Sequence, residues 1–152
     1  MQISKRLFPV LMQQSYKTYC QRNNLKHIRA FVEKTLANTT LSDIEINQIV
    51  LAVDEICANL IIHSQKGNPK AEMEIIIECL PEEIIFQIID FDASFFDFSA
   101  YKEPTITGIK KEGRKGGMGL LLVNSIMDEV EVVHRHNTNT WYLTKKIGLA
   151  TT

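Results

Sequence analysis

Hydrophobic positions recur along the chain with two periods, and the change from one to the other separates predicted helices from predicted strands. Residues 16–22 alternate between polar and apolar types and carry aromatic side chains, which predicts a strand. Apolar residues then recur every three or four positions over 25–36 and again over 46–61. This spacing predicts two amphipathic helices in succession.

Polar residues at the ends of these segments predict where the helices begin and end. Asn23 or Asn24 can cap the first helix. The second helix is expected to begin after Ser42, because Glu45 three residues later completes a capping box. It is expected to end before Pro69, since proline cannot continue a helix.

The second half of the chain is predicted to consist mainly of strands. Residues 71–80 and 84–89 form a predicted antiparallel hairpin around a proline-containing turn. Residues 129–135 and 140–147 form a predicted closing hairpin, with its turn expected at 137–139.

A long segment without clear period separates these hairpins. Residues 90–117 contain four of the seven glycines, and 118–127 form a short apolar helix. An irregular stretch this long inside a compact domain is typical of a functional lid. Its basic cluster either contacts phosphate or keeps the lid solvated, and consists of Lys110, Lys111, Arg114 and Lys115.

This order of elements predicts an α+β fold. Strands grouped beside helices indicate a two-layer sandwich, with a mostly antiparallel sheet and the helices on one face. No repeat, low-complexity tract or linker divides residues 1–152, so a single domain is expected.

Composition and charge exclude several classes of protein. Apolar residues make up 45% of the 152 residues and charged residues 23%, which excludes a disordered chain or a coiled coil. The formal net charge of −1 argues against bulk attraction to nucleic acid or to an anionic membrane. No apolar run is long enough to span a membrane.

The cysteines and the first residues indicate a reducing, cytoplasmic compartment. Cys20, Cys57 and Cys79 are odd in number and form no C-x-x-C pair, so neither a disulfide framework nor a zinc knuckle is expected. Cys57 lies among apolar residues at helical spacing, which predicts a buried and inert thiol. The N-terminal residues lack the apolar region and cleavage site of a secretory signal.

Glu55 and Asn59 form the first candidate constellation. Four residues apart on a helix, their side chains point about 40° from one another and flank the apolar stripe. A carboxylate can accept a proton, and an asparagine carbonyl oxygen is a suitable Mg²⁺ ligand. A solvated helix face is the simpler interpretation when this pair is taken alone.

A glycine run that leads into a helix forms the second constellation. The run extends from Gly113 to Gly119 and includes Arg114, Lys115, Gly116 and Gly117. Glycines allow backbone amides to approach an anion, and a helix N-terminus adds N–H groups without partners. The pattern predicts a polyphosphate site, although it matches neither a P-loop nor a dinucleotide-binding fingerprint.

Polar side chains on the predicted strands offer further candidates. Asp90 follows the apolar strand 84–89 and could accept a hydrogen bond from an exocyclic amine such as that of adenine. His134 and His136 alternate on a strand and could present metal ligands, but no third ligand is evident. An exposed strand is therefore the favoured interpretation of the two histidines.

The order of these motifs resembles that of the GHKL ATPases, which have the Bergerat ATP-binding fold. The segment LAVDEICANLIIHS at 51–64 is similar to the family's N-box, and GGMGLLLVNSIMDEVEV at 116–132 is similar to its phosphate-binding G2 box. Asn139-Thr140 stands where the family has Gly-Thr near adenine. The resemblance covers about residues 16–147. Within this superfamily, the sequence resembles the anti-sigma factor serine/threonine kinases.

The resemblance implies a role for each candidate residue. Glu55 would be the general base for an attacking serine hydroxyl, Asn59 would hold Mg²⁺, and Asp90 would bind the adenine amine. Thr140 would support the adenine side, and the glycines lining the phosphates would be Gly116, Gly117 and Gly119. The implied reaction uses ATP and Mg²⁺ to phosphorylate an anti-anti-sigma protein, which competes with a sigma factor for the kinase. Members of the family commonly form homodimers.

The chain departs from the family pattern after the first hairpin. Asp92 replaces the glycine of the usual Asp-x-Gly, and an alternative register uses Asp92 as the anchor with Ser94 in place of glycine. Asn139 for glycine is a milder change, because asparagine tolerates the left-handed region. These departures leave a second function open, a partner-switching module that binds a sigma factor or antagonist with little or no ATP turnover.

Overall fold

The computed structural model describes residues 9–63, 70–91 and 115–148, which form an α+β sandwich as predicted. In these ranges the strands are β1 (Met12–Tyr19), β2 (Glu72–Cys79), β3 (Glu83–Asp90), β4 (Glu129–Arg135) and β5 (Thr138–Lys146). The helices are α1 (Leu25–Leu36), α2 (Asp43–His63) and α3 (Lys115–Ile126). Most of the predicted lid lies outside the described residues.

The strands form one sheet in the order β1-β2-β3-β5-β4, and every neighbouring pair is antiparallel. β3 is therefore the central strand. Its last residue, Asp90, lies opposite Met73 of β2 and Asn139 of β5. The side chain of Asp90 therefore lies at the end of the central strand, with a strand on either side.

Alternate side chains of the central strands form the core. On β3, Ile84, Phe86 and Ile88 are completely buried, while the residues between them are partly exposed on the other face. Since side chains alternate across a strand, only one face of the sheet is covered by the helices. None of the helices in the described part is long and apolar enough to cross a membrane.

Helix α2 packs on this face through the stripe that the sequence predicted. All seven apolar residues of that stripe are buried, namely Ile46, Ile49, Val50, Val53, Cys57, Leu60 and Ile61. Burial raises the pKa of the Cys57 thiol, which keeps the thiol protonated and unreactive as expected. An ion pair of 2.8 Å between Arg29 and Asp54 connects α1 to α2.

The start of α2 shows the predicted capping box, whereas the start of α1 differs from the prediction. The Ser42 N–H donates to Glu45 Oε1 at 3.0 Å, and the Glu45 N–H donates to Ser42 Oγ at 3.1 Å. Asn24 stands at the start of α1 without a side-chain capping bond. Its amide instead donates to the Tyr19 carbonyl at 2.9 Å, which ties the helix to the end of β1.

We expect Ser42→Ala to destabilise the protein by about 1 kcal/mol near neutral pH, or about 3 °C in Tm. The backbone and side-chain hydrogen bonds with Ser42 lower the pKa of Glu45. A carboxyl with a lowered pKa contributes stability above its unfolded pKa and loses it as the pH falls through the folded pKa. The difference between the two proteins should therefore shrink in acid, as measured by thermal unfolding across pH.

Ser125→Ala provides the control for that measurement. Ser125 is an exposed helical serine whose hydroxyl donates to the Leu122 carbonyl at 2.7 Å, away from any N-cap. Its replacement should change the free energy of unfolding by less than about 0.5 kcal/mol. Equal losses in the two variants would show that the capping box contributes nothing specific.

Two element boundaries differ from the sequence prediction. β1 runs from Met12 to Tyr19 rather than over 16–22, because it pairs with β2 along the whole length of that strand. α3 begins at Lys115 rather than Met118, so that the glycines expected in the preceding loop lie within the helix. Glycine's low helix propensity made the sequence signal for this start weak.

The turn of the closing hairpin consists of His136 and Asn137 rather than residues 137–139. Both have positive φ, 52° and 60° respectively. Two-residue hairpin turns with positive φ match the twist of the flanking strands, and histidine and asparagine adopt this region more readily than most residues. The tighter turn extends β5 to include Thr138 and Asn139.

Candidate functional site

Two polar side chains one turn apart on α2 form one wall of the candidate site. Glu55 is partly buried, and Asn59 is 8% exposed. Because residues four apart differ by about 40° around a helix, both side chains lie beside the buried stripe. α2 therefore presents a carboxylate and a carboxamide along the same edge.

Glu55 lies directly against Gly119 of α3. A Cβ atom added to Gly119 would overlap Oε2 of Glu55 and would lie 3.0 Å from its Cδ. Only glycine leaves room for the carboxylate at this point. The structure therefore brings the acidic residue of the first constellation into contact with the glycine run of the second.

The N-terminal end of α3 is the candidate phosphate-binding end of the site. Gly116 and Gly117 lie in its first turn. The first N–H groups of a helix have no partner within the helix and lie at the positive end of its dipole, which favours an anion. Gly113 and Arg114 of the predicted run lie outside the described residues.

Asp90 provides a buried carboxylate at the end of β3. Its exposed fraction is 0%, and it lies on the helix-covered face with Ile88 and Phe86. The apolar strand β3 leads directly into it. Asp92, the anchor of the alternative register, lies outside the described residues.

The structure places Asn139 beside Asp90 and does not bring Thr140 there. Asn139 is opposite Asp90 in the register of β3 and β5, and it is 1% exposed. Thr140 pairs with Ile89 and therefore points to the opposite face of the sheet. The expectation that Thr140 supports the adenine side came from the family resemblance alone, and the register sets Thr140 and Asp90 on different faces of the sheet.

The described side chains could hold Mg²⁺ only together with phosphate oxygens of a bound nucleotide. Among the described residues, no group of three or more His, Cys, Asp and Glu side chains could hold a metal ion. The alternating histidine pair is broken up, because His136 lies in the turn while His134 contacts Asn139. At nucleotide sites Mg²⁺ is usually bound by one or two protein oxygens together with water and phosphate oxygens. The carbonyl oxygen of the largely buried Asn59 side chain can be such a ligand.

Comparisons with known proteins identify the family of this chain. The family described as the histidine kinase-like ATPase domain matches residues 21–145. The anti-sigma F factor of Bacillus cytotoxicus is 30% identical over 105 residues, which are 68% of this chain and 71% of that protein. This chain belongs to the histidine kinase-like ATPase family, among its anti-sigma kinases. The serine-protein kinase RsbW of Bacillus pumilus is 34% identical over 93 residues, 58% of this chain and 57% of that kinase.

Solved structures of this kinase-like fold support the architecture. The RsbU and RsbW domains of a Mycobacterium tuberculosis protein superpose with a TM-score of 0.64 at 15% identity, over 93% of this chain and 34% of that one. The SiaB–SiaC complex of Pseudomonas aeruginosa gives a TM-score of 0.59 at 15% identity, over 91% of both chains. The α+β sandwich predicted from the order of helices and strands is confirmed.

The sequence interpretation does not include one buried residue of the candidate site. The sequence predicts that Asn139 replaces the glycine of the family's Gly-Thr pair, whereas the structure shows a strand residue that faces the core. The signal was present in the alternation of β5. Counting back by two from the apolar residues Leu143 and Trp141 leads to Asn139 and not to Thr140.

Proposed function

We propose that this chain is an ATP-dependent serine/threonine protein kinase that acts as an anti-sigma regulatory factor and phosphorylates an anti-anti-sigma partner protein. The unit that carries this activity is a single domain with its core at about residues 16–147. The observation that carries the proposal is the contact of Glu55 with Gly119, at the glycine-lined half of α3.

Glu55 is the proposed general base. The acceptor hydroxyl gives its proton to the Glu55 carboxylate as its oxygen bonds to the γ-phosphorus of ATP, and the bond from that phosphorus to ADP breaks. Such transfers depend mainly on positioning and on stabilisation of charge. The position of Glu55 beside α3 suits this role, because the same helix carries the proposed phosphate-binding end.

The remaining residues bind the nucleotide. The N–H groups at Gly116 and Gly117 bind the phosphates, Asn59 holds Mg²⁺ through its carbonyl oxygen, and Asp90 accepts a hydrogen bond from the adenine amine. When bound, Mg²⁺ offsets the negative charge of the phosphates. The positions of the two side chains support these roles, because Asn59 lies on the same edge of α2 as Glu55 and Asp90 ends the central strand on the helix-covered face.

The surface around Glu55 suits a protein as the phosphate acceptor. Leu51 and Ile62 are 44% and 43% exposed, and they lie within about 40° of Glu55 around α2. Exposed apolar side chains beside a reacting group favour contact with another protein. This exposed face supports a folded protein, rather than a free amino acid, as the source of the hydroxyl.

The regulatory part of the proposal follows from family membership. The anti-anti-sigma protein competes with a sigma factor for this chain, which acts as a homodimer in the cytoplasm. The sheet face opposite the helices, where Ile76 and Tyr142 are partly exposed, offers room for a second copy. Cys20, Cys57 and Cys79 are buried thiols that form no disulfide, in agreement with a reducing compartment.

Calorimetric titration of ATP with Mg²⁺ into the wild type and Asn59→Ala tests the nucleotide site. We expect a wild-type Kd in the micromolar range and binding at least about tenfold weaker in the variant, which is about 1.4 kcal/mol. The reason is the loss of the carbonyl ligand that connects α2 to the metal. With EDTA present, the affinities of the two proteins for ATP should converge.

Asn47→Ala is the matched control, because Asn47 is an exposed asparagine on the same helix. Its affinity for ATP should equal that of the wild type with and without Mg²⁺. Equal affinities of Asn59→Ala and wild type in Mg²⁺ would remove Asn59 from the metal site. A wild type that binds no ATP at all would overturn the kinase proposal.

A further inference from the structure

Three exposed apolar side chains form a straight row along the outer side of α2, which we call the outer row. Ile44, Leu51 and Ile62 are 71%, 44% and 43% exposed. They are seven and eleven residues apart, and these spacings return to within about 20° of the same direction around a helix. The outer row is therefore nearly parallel to the helix axis and is about 27 Å long.

The outer row lies on the opposite side of α2 from the buried stripe. Ile46 and Val53 of that stripe point roughly 140–180° away from the outer row around the helix. A surface helix normally has one apolar face, and a helix that is apolar all round is normally buried. The outer side of α2 is therefore expected to be covered by a partner.

The spacing along this side of α2 is that of the seam between two packed helices. Six positions follow one another at alternating intervals of four and three residues, namely Ile44, Gln48, Leu51, Glu55, Ala58 and Ile62. Such a seam receives the apolar side chains of a second helix that lies alongside. Polar residues in a seam fix its register but lower its stability, and Gln48 and Glu55 are two of them. The seam therefore suits a helix that binds transiently.

The charge of α2 indicates which kind of helix can lie there. α2 contains four acidic residues and neither lysine nor arginine. Arg29 of α1 pairs with Asp54, whereas Asp43 and Glu55 form no ion pair with any side chain in the described part of the molecule. A second copy of α2 would bring like charges together at this seam. A helix with lysine or arginine beside its apolar face would be attracted instead.

We propose that the outer row binds a basic amphipathic helix of the protein that accepts the phosphate. The inference rests on the proposed function, in which the acceptor hydroxyl must reach Glu55. Glu55 lies in the same seam, four residues after Leu51 and seven before Ile62. A protein that brings its hydroxyl to Glu55 therefore also approaches the outer row. Ile44, roughly 16 Å from Glu55 along the helix axis, adds a contact remote from the reacting atoms.

Steady-state transfer of labelled phosphate at varied concentrations of the anti-anti-sigma protein tests this surface through Ile44→Lys. We expect the KM for that protein to rise at least about tenfold, because an apolar contact is lost and the lysine repels the basic helix. The kcat and the Kd of ATP should stay within about a factor of two, since loss of uniform binding raises KM alone. Ile44→Glu should raise KM less than Ile44→Lys, because its carboxylate attracts the basic helix.

Leu11→Lys is the matched control, because Leu11 is a 65% exposed apolar residue just before β1 and undergoes the same chemical change away from α2. Its KM for the anti-anti-sigma protein should equal that of the wild type. Ile62→Lys provides a second measurement at the other end of the outer row if Ile44→Lys does not fold. It should also raise KM about tenfold, for the same reason.

The outcomes separate this inference from the proposed function. An unchanged KM in Ile44→Lys and Ile62→Lys would overturn the docking surface, and an equal rise in Ile44→Lys and Ile44→Glu would overturn the basic helix. If the variants instead changed the mass measured by light scattering and left KM unchanged, the outer row would be a contact between two copies of the chain.

A wild type that binds the anti-anti-sigma protein without phosphorylating it would contradict the kinase function alone. The Kd for that protein, measured by calorimetry with the same variants, would then test the outer row, and an unchanged Kd in Ile44→Lys and Ile62→Lys would overturn it. A wild type that neither binds nor phosphorylates that protein would contradict both proposals.

Discussion

Replacing Glu55 by glutamine is expected to lower the rate of phosphoryl transfer at least 100-fold, at the lower end of the roughly 10²–10⁴ range for general bases. Glutamine has nearly the same shape as glutamate but cannot take the proton of an attacking hydroxyl. The affinity for ATP should stay within about a factor of two, because the base contacts the acceptor rather than the nucleotide. Transfer of labelled phosphate from ATP to a cognate anti-anti-sigma protein, with ATP binding measured in parallel, checks both parts.

Glu131→Gln is the control for this experiment, because Glu131 is exposed on β4 and its neutralisation makes the same chemical change away from the site. It should transfer phosphate at the wild-type rate. Transfer by Glu55→Gln within about threefold of wild type would show that this carboxylate is not the base. A wild type that binds the partner but never phosphorylates it would establish the alternative function, a non-catalytic partner-switching module.

Gly119→Ala is the variant with the second largest expected effect. The added methyl group would occupy the position of Glu55 Oε2, so the carboxylate must move away from α3. A displacement of about 1 Å at a reacting group can cost about 100-fold in rate, and we expect a loss of that size. Folding should be unaffected or stabilised by up to about 1 kcal/mol, because alanine is a better helix former than glycine.

Two comparisons make this prediction specific. Gly148→Ala should be silent, since a Cβ atom there meets nothing within 4 Å. In a Glu55→Gln background, Gly119→Ala should add little further loss, because both substitutions disable the same group. If the losses of transfer rate in the two single variants added fully in the double variant, displacement of Glu55 would not explain the effect of Gly119→Ala. A Gly119→Ala protein that unfolds at a lower temperature than the wild type would also contradict this explanation.

The sequence was most informative where a signal is local and repeated. The apolar stripe of α2 and the capping box of Ser42 and Glu45 were both predicted and both confirmed. A helical period repeated over about four turns and a cap with reciprocal bonds depend on neighbouring residues alone. The family was also predicted correctly from the order of the motifs, and the comparisons confirm it.

The predicted ends of helices and strands were less accurate next to glycines and turns. The start of α3 at Lys115 lies three residues before the predicted Met118. The closing turn at His136 and Asn137 is shorter than the predicted one. Weak propensities allow several starting points for a helix or turn, and packing against the rest of the molecule selects one of them.

The sequence alone determined the fold class, the buried stripe of α2 and the pairing of Glu55 with Asn59 on one helix edge. Only the tertiary structure decided that Glu55 meets Gly119 and that Asn139, rather than Thr140, stands beside Asp90. The physical reason is the period of a strand, in which a shift of one residue moves every side chain to the other face. Which face each residue takes is set by the register between strands that are distant in sequence.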